Sequence, residues 1–421
     1  MRYSKFFFLF VVVLLIIPTS NAMANSMLIA PSPEESYLSP EIIISQDTRN
    51  DYSPAIAFNS KHSEYLVVWE SVGPGGYKDI YAQRVSSDGR LLSWFAVGTF
   101  LNSKMEPSVA YDPVNDRYLV VWSYDFYGTG TDWDVYGRFI PWNGPDPGLI
   151  DFSICGWSSN QSHAVVTYGR VFEEFMVVWR SAASGVSGYI SGRIVFAGGS
   201  MGADFTISSG PEHRDFPDVT YNFTRNEFLV VWDKELSAHN MDIYGRRLQG
   251  NGTPIGDEFS IAGWPDSEER PAVAACFETD QYMVAWQSDQ GTVGSDYAIY
   301  ARYLNGDAIP GYVTLIDDTT SPELNVAIAC NRAGKQYMLV WQTQYVSQLN
   351  GIWARKAFPD GSLGDPFAVR VPNNLNCEYP AISAGSSSYL VAWEHQNLGQ
   401  TRDIHGRLLR YTIFLPITLR H

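Results

Sequence analysis

Phe228-Leu229-Val230-Val231-Trp232, followed ten residues later by Asp242-Ile243-Tyr244-Gly245-Arg246-Arg247-Leu248 and then by the turn Asn251-Gly252, decides the fold of this 421-residue chain. The first run is apolar at consecutive positions, so a strand built from it must be covered on both faces. The second run is rich in β-branched and aromatic residues, and Asn-Gly after it closes a hairpin to the short run 258–261. With 217–221 ahead of the tryptophan strand, the unit contains four short strands in about 50 residues.

The same unit recurs along the chain. A Tyr-Leu-Val-Val-Trp-like motif ends at Trp69, Trp122, Trp179, Trp232, Trp286, Trp341 and Trp393, at intervals of 53, 57, 53, 54, 55 and 52 residues. Hairpin turns equivalent to Asn251-Gly252 stand at Asp88-Gly89, Asn143-Gly144, Asn305-Gly306 and Asp360-Gly361. No repeat has a 3.6-residue apolar period, which removes the helical solenoids. Radial stacking of seven blades covers both faces of every tryptophan strand. The spacing therefore predicts an all-β chain, a seven-bladed β-propeller of four-stranded antiparallel blades.

Six repeats carry their own fourth strand, at 95–97, 151–154, 204–207, 258–261, 312–315 and 366–369, whereas the seventh ends at 407–410 without one. The missing strand is expected at 41–45, Glu-Ile-Ile-Ile-Ser, paired beside the last blade near Arg407. That pairing joins the two ends of the sequence and leaves no open edge.

The block Tyr65 to Trp69, then Asp79-Ile80-Tyr81-Ala82-Gln83-Arg84, then Asp88-Gly89, resembles repeat arrays of secreted bacterial proteins that read Phe-Val-Val-x-Trp, Ile-Tyr-Gly-Gln-Arg and Asp-Gly. The resemblance covers nearly all of the chain after its leader and implies the propeller fold. It implies no single activity and brings no catalytic residues with it.

Outside the repeats, Arg2 and Lys5 precede an apolar run from Phe6 to Ile17, then Pro18 and the small-residue site Ala22-Met23-Ala24. Residues 1–24 read as a secretory signal peptide, 25–37 as a linker, 38–410 as the propeller and 411–421 as a C-terminal tail. An extracellular or cell-surface location follows, with no membrane span and a monomeric state. The tail Phe414-Leu415-Pro416-Ile417-Thr418-Leu419-Arg420 departs from a sortase signal, having Leu419 where glycine is required. It leaves open a structural role in surface assembly.

The formal net charge is -16 and the isoelectric point about 4.8. Nucleic acid and anionic membrane are excluded as partners, because each would need a basic patch. HExxH and calcium-loop motifs are absent from the sequence, and it has no GxSxG nucleophile elbow, the run Gly198-Gly199-Ser200-Met201-Gly202 standing where other repeats have their hairpin turn. Six arginines at one position of the third strands (Arg138, Arg193, Arg246, Arg302, Arg355, Arg407, with Gln83 in the first repeat) read as scaffold, stacking on neighbouring aromatics. Cys276 and Cys330 end the first strands of adjacent blades, and free thiols are expected because neighbouring inner strands would stand too far apart to bridge.

Function should sit where the repeats differ. Strand parity puts the connections between second and third strands, and those between blades, on one face of the disc, and acidic residues concentrate there. In the second and fifth blades the first apolar residue of the third strand comes 13 positions after the tryptophan rather than 11. The loop of blade 2 carries Tyr124, Asp125, Tyr127, Asp132, Trp133 and Asp134, aromatic platforms beside carboxylates of the kind that suits a sugar ring. His213, Asp233, His239 and Asp242 in blade 4, and Glu394 with His395 in blade 7, form further candidate positions. The expectation is a non-catalytic binding or adhesion protein whose partner is a carbohydrate or cell-surface ligand, with no cofactor or with a divalent cation such as calcium. Paired carboxylates on the same face leave a glycoside hydrolase-like enzyme as the alternative.

Overall fold

A computed structural model of the protein describes residues 37–411 except 74, 99–100, 157–158, 183–186, 238–239, 277–278, 290–296, 320, 332–334, 346–348, 373–374 and 398–400. The expected signal peptide, nearly all of the expected linker and the residues after Tyr411 lie outside the described residues, as does His239. The described strands form seven four-stranded antiparallel sheets, six of them in simple sequence order. Blades 1 to 6 span 50–98, 104–155, 160–208, 214–262, 268–317 and 323–370. Blade 7 takes three strands from 375–410 and its outer strand from Ile42–Ile43, which pairs with His405 and Gly406. The protein is a seven-bladed β-propeller closed by its own N-terminal strand.

The alternation within each tryptophan strand explains the ring. Tyr65, Val67 and Trp69 pack into a core shared with Leu390, Ala392 and Ile404 of blade 7, while Leu66 and Val68 pack into the core shared with blade 2. Each of the seven buried cores spans one blade junction and holds one of the seven repeat tryptophans. A strand with two apolar faces therefore belongs to two interfaces at once, which is why the five positions ending at the tryptophan carry no charged residue.

The repeated arginines do belong to the scaffold, but they act through hydrogen bonds to carbonyls rather than by stacking. Nη1 of Arg138, Arg246 and Arg407 donates to the carbonyl of Val97, Ile207 and Val369, each on the outer strand of the preceding blade, at 2.9, 2.6 and 2.7 Å. Arg193, Arg302 and Arg355 do the same toward Ile154, Ile261 and Ile316. Gln83 keeps its amide within blade 1, on the carbonyls of Arg84 and Leu92. The junction without an arginine is thus the one that the N-terminal strand closes, where Ile44 is buried against Trp69 and Leu390.

One expectation is overturned. Cys276 and Cys330 are joined in a disulfide, with Cα atoms 5.4 Å apart. The innermost strands crowd around the propeller axis, which brings neighbouring strand ends within bridging range. Cys155 and Cys377 are buried in blades 2 and 7.

Candidate functional site

Every innermost strand carries a β-bulge at the same place. In blade 4, Asp215 pairs with Asp233 and Asp218 with Val231, so Phe216 and Pro217 stand opposite the single residue Trp232. The register shifts in the same way in the other six blades. The first bulged residue has a left-handed backbone in all seven: Ser53, Glu106, His163, Phe216, Arg270, Asn325 and Tyr379, with φ between 43° and 55°. Asn and Asp tolerate this region, whereas for Phe, Arg or Tyr it costs about 1–3 kcal/mol. Seven different side chains held in one unfavourable conformation point to a ring selected for what it presents.

A second ring supports the first. The residue after the tryptophan in one blade accepts the backbone N–H of the bulged residue in the next. Glu70 serves Glu106 at 3.1 Å, Asp233 serves Arg270 at 3.2 Å, and Gln287 serves Asn325 at 3.0 Å. Gln342 serves Tyr379 at 3.3 Å and Glu394 serves Ser53 at 2.9 Å. In blade 2 the equivalent residue is Ser123, which bonds to Glu106, and the Glu106 carboxylate itself accepts the N–H of His163 at 3.0 Å. In blade 3 it is Arg180, a cation that cannot accept, and Asp215 takes over its neighbour Phe216 at 2.8 Å.

The seven bulged residues line one mouth of the axial channel, a cavity of about 370 Å³. Its side chains are not equivalent. His163 lies between two carboxylates, Nδ1 2.7 Å from Asp215 and Nε2 3.1 Å from Glu106. Burial alone would depress the imidazole, but the hydrogen bonds and charges of Asp215 and Glu106 outweigh it and carry its pKa to about 10. Burial likewise opposes ionisation of Glu106 and Asp215, and the imidazolium reverses the sign, holding both carboxyls below their ordinary values. His163 packs on Phe216 at 4.5 Å between ring centroids, and the Arg270 guanidinium lies over the same phenyl ring, 4.0 Å from its centroid. Asn325, Tyr379 and Ser53 complete the circle.

The opposite half of the channel is larger, about 540 Å³, and is lined by aliphatic, aromatic and hydroxyl side chains with Arg170 as its charged group. Two of its hydroxyls are already engaged, Tyr111 on Asp116 at 2.6 Å and Tyr221 on Asn226 at 2.7 Å. The concentration of varied, charged and aromatic groups makes the smaller mouth the candidate site.

The residues singled out from sequence do not converge. In blade 2, Asp125 is buried and accepts the N–H groups of Thr129 and Gly130 at 3.0 and 2.9 Å, so it shapes the loop. Tyr124 donates to the Leu101 carbonyl at 2.7 Å, Trp133 to that of Gly130 at 3.1 Å. Asp134 is buried, and burial followed by repulsion from Asp132 pushes its pKa to about 6. Tyr127 is exposed beside Phe126. In blade 4, His213 reaches Asp215 at 3.5 Å at the edge of the mouth, Asp233 is a buried support of Arg270, and Asp242 is buried with its pKa raised to about 6 by burial. In blade 7, Glu394 supports Ser53 and pairs with Arg402, while His395 turns away to Glu41 and His405. The acidic face is moreover heavily ion-paired, with Lys78–Glu70, Lys104–Asp79, Lys234–Glu258 and Arg402–Glu378 at 2.7, 3.2, 2.6 and 2.8 Å.

Sequence reasoning passed over the bulge ring because its residues differ from blade to blade. A signal was present: proline stands 15 positions before the tryptophan in blades 1, 2, 4 and 5, at Pro54, Pro107, Pro217 and Pro271. A residue without an N–H is tolerated where the ladder is broken, so a repeated proline inside a strand marks a bulge.

No family model and no curated protein sequence matches the chain. Among solved structures it is similar to a polysaccharide lyase, with a TM-score of 0.57, 9% identity, and coverage of 89% of this chain and 99% of the other. It is also similar to the β-propeller domain of the Trilobed protease from Pyrococcus furiosus (TM-score 0.51, 8% identity, 86% and 98% covered). A protein of unknown function from Dyadobacter fermentans matches at a TM-score of 0.51 and 11% identity, with 88% and 97% covered. At these identities the likeness is one of fold.

Proposed function

We propose that the protein is a secreted binding propeller that takes a carbohydrate at the bulge-ring mouth of its axial channel. The observation that carries this reading is the ring itself, seven different side chains imposed on one strained backbone position of an otherwise repeated scaffold. Tyr379, which is exposed, supplies a ring face for a sugar, Asn325 and Ser53 supply partners for its hydroxyls, and Arg270 brings a guanidinium. The cavity volume suits one or two sugar rings.

Binding fits the electrostatics better than hydrolysis does. A glycosidase needs one carboxyl kept protonated near neutral pH and within reach of the glycosidic oxygen. Glu106 and Asp215 are both held ionised by His163, and Asp218, a further carboxyl of the lining whose pKa burial raises to about 6, accepts the backbone N–H groups of Val219 and Val273 at 2.8 Å. Asp233, whose pKa burial raises to about 7, is buried and engaged with the Arg270 backbone.

The test is a glycan array followed by calorimetry on wild type and on Arg270→Ala, Tyr379→Ala and Tyr127→Ala. Binding lost in the first two and kept in the third is expected. Binding that depends on Tyr127 alone would move the site to the blade 2 loop, and product detected by mass spectrometry would replace binding with catalysis.

A further inference from the structure

The ring is closed by a short contact. Ile42 and Ile43 of the N-terminal strand pair with blade 7, an isolated bridge joins Leu38 to Leu409, and bonds run from Ser39 to Leu408 and from Ile44 and Ser45 to Ile404. Beside that pairing, in the interior of the seam, the strand brings Glu41 onto two imidazoles. His405 Nδ1 is 2.6 Å and His395 Nδ1 3.8 Å from the same oxygen, Oε1 of Glu41. The two rings are stacked, with centroids 3.8 Å apart and planes 7° from parallel. Their side chains are 5% and 9% exposed, that of Glu41 21%. The Cys377 thiol lies 3.8 Å from His395 Nδ1, and Arg370 Nε holds the other carboxylate oxygen of Glu41 at 3.0 Å.

A simple ion pair would need one imidazole and one carboxylate. Here a second buried imidazole directs the same nitrogen toward the same oxygen, yet stands too far from it for an N–H···O hydrogen bond. We propose that Glu41, His395 and His405 bind a divalent transition metal, zinc by preference, which fastens the N-terminal strand to blade 7. One donor atom from each residue lies within 4.8 Å of the others. Tetrahedral zinc with bonds of about 2.0–2.2 Å sets its donors about 3.3–3.6 Å apart. The site therefore needs His405 and Glu41 to part by about 1 Å and the stacked rings to fan open, which side-chain torsions supply. Two imidazoles with one carboxylate suit zinc and its first-row neighbours, not calcium or magnesium, which take oxygen donors. Arg370 on the free carboxylate oxygen occupies the place of an outer-shell partner that orients the ligand.

The ligands come from opposite ends of the chain, so the site exists only when the ring is shut. Metal binding then stabilises the closed ring by mass action.

The test uses the full chain stripped with EDTA, titrated with zinc chloride by calorimetry and checked for bound metal by elemental analysis after dialysis. One zinc per chain and a higher melting temperature in its presence are expected. Glu41→Gln and His395→Gln should each raise the Kd by more than about 100-fold, beyond what loss of an outer-shell partner does. His163→Gln should bind as wild type does. Near-ultraviolet circular dichroism shows which variants are folded, and the two substitutions on separate strands guard against one failing. Absence of retained zinc in the folded wild type, zinc binding unchanged in folded Glu41→Gln and His395→Gln, or binding abolished by His163→Gln would each overturn the proposal.

Discussion

Arg246 Nη1 of blade 4 donates to the carbonyl oxygen of Ile207 on the outer strand of blade 3, at 2.6 Å. Its Nε and Nη2 meanwhile donate to Gly256 within its own blade, at 3.2 and 3.1 Å. One guanidinium thus spans the blade junction alongside other polar contacts such as His163–Asp215, and its planar fork is what lets it serve both sheets. Arg246→Met keeps the stem and removes these bonds, leaving the Ile207 carbonyl without its partner. A loss of about 1–3 kcal/mol is expected in urea unfolding, with ligand affinity at the axial mouth unchanged.

Ring closure separates two adjacent isoleucines. Ile44 is 3% exposed in the core shared by blades 7 and 1, whereas Ile43 is 43% exposed. Ile44→Ala should cost about 2–5 kcal/mol and Ile43→Ala less than about 0.5 kcal/mol. Hydrogen exchange should speed up at 402–410 in the first variant alone, since that strand loses its outer neighbour when the closing strand detaches.

What sequence reading recovers here depends on repetition. Trp69 and its six counterparts, the strands around them and the strand lent by 41–45 follow from patterns written seven times, with one omission that another segment fills. The bulge ring escapes because Ser53, Glu106, His163, Phe216, Arg270, Asn325 and Tyr379 share a backbone conformation and no chemistry. Asp125 and Glu394 look like ligand carboxylates in one dimension, yet Asp125 accepts the backbone N–H groups of Thr129 and Gly130, and Glu394 takes that of Ser53 together with the Arg402 guanidinium. Side chains spent on backbone cannot be told from side chains facing solvent without the loop path. The Cys276–Cys330 bridge likewise depends on how closely the inner strands approach.

Asp233 performs with a carboxylate what Gln287 and Gln342 perform with an amide, accepting the N–H of the bulged residue in the next blade. Burial first, and then repulsion from Asp215 and Glu269, raise its pKa from 3.8 to about 7. Between those values the folded state holds more protons than the unfolded chain, so stability declines as pH rises from about 4 to 7 and stays lowered above. Asp233→Asn keeps an acceptor for Arg270 and offers the Asp215 and Glu269 carboxylates a donor. It should stabilise the protein at pH 8 by about 1–4 kcal/mol and leave it nearly unchanged at pH 4. Asp233→Ala, which orphans the Arg270 N–H, should destabilise by about 1–3 kcal/mol at pH 4 and should lie about 1–3 kcal/mol below Asp233→Asn at both pH values, as thermal or urea melts would show.

His163 carries the same decline with rising pH to more alkaline values. Its folded pKa of about 10 stands above the ordinary 6.5, so its stabilising contribution is complete below pH 6.5 and disappears as pH rises toward 10. Glu106 and Asp215 have folded pKa values below their ordinary 4.5 and 3.8, so their contribution is complete above about pH 4.5 and is lost as pH falls through the depressed values. The three groups together stabilise most between about pH 4.5 and 6.5. His163→Gln removes the shared cation and leaves two carboxylates facing each other across a neutral amide, which reverses the acid limb because charge on each now opposes charge on the other. The melting temperature of wild type should therefore fall from pH 6 to pH 9.5 by more than that of His163→Gln, and the variant's deficit should be largest near pH 6. Equal slopes in the two proteins over that range would show that the imidazole carries no extra proton in the fold.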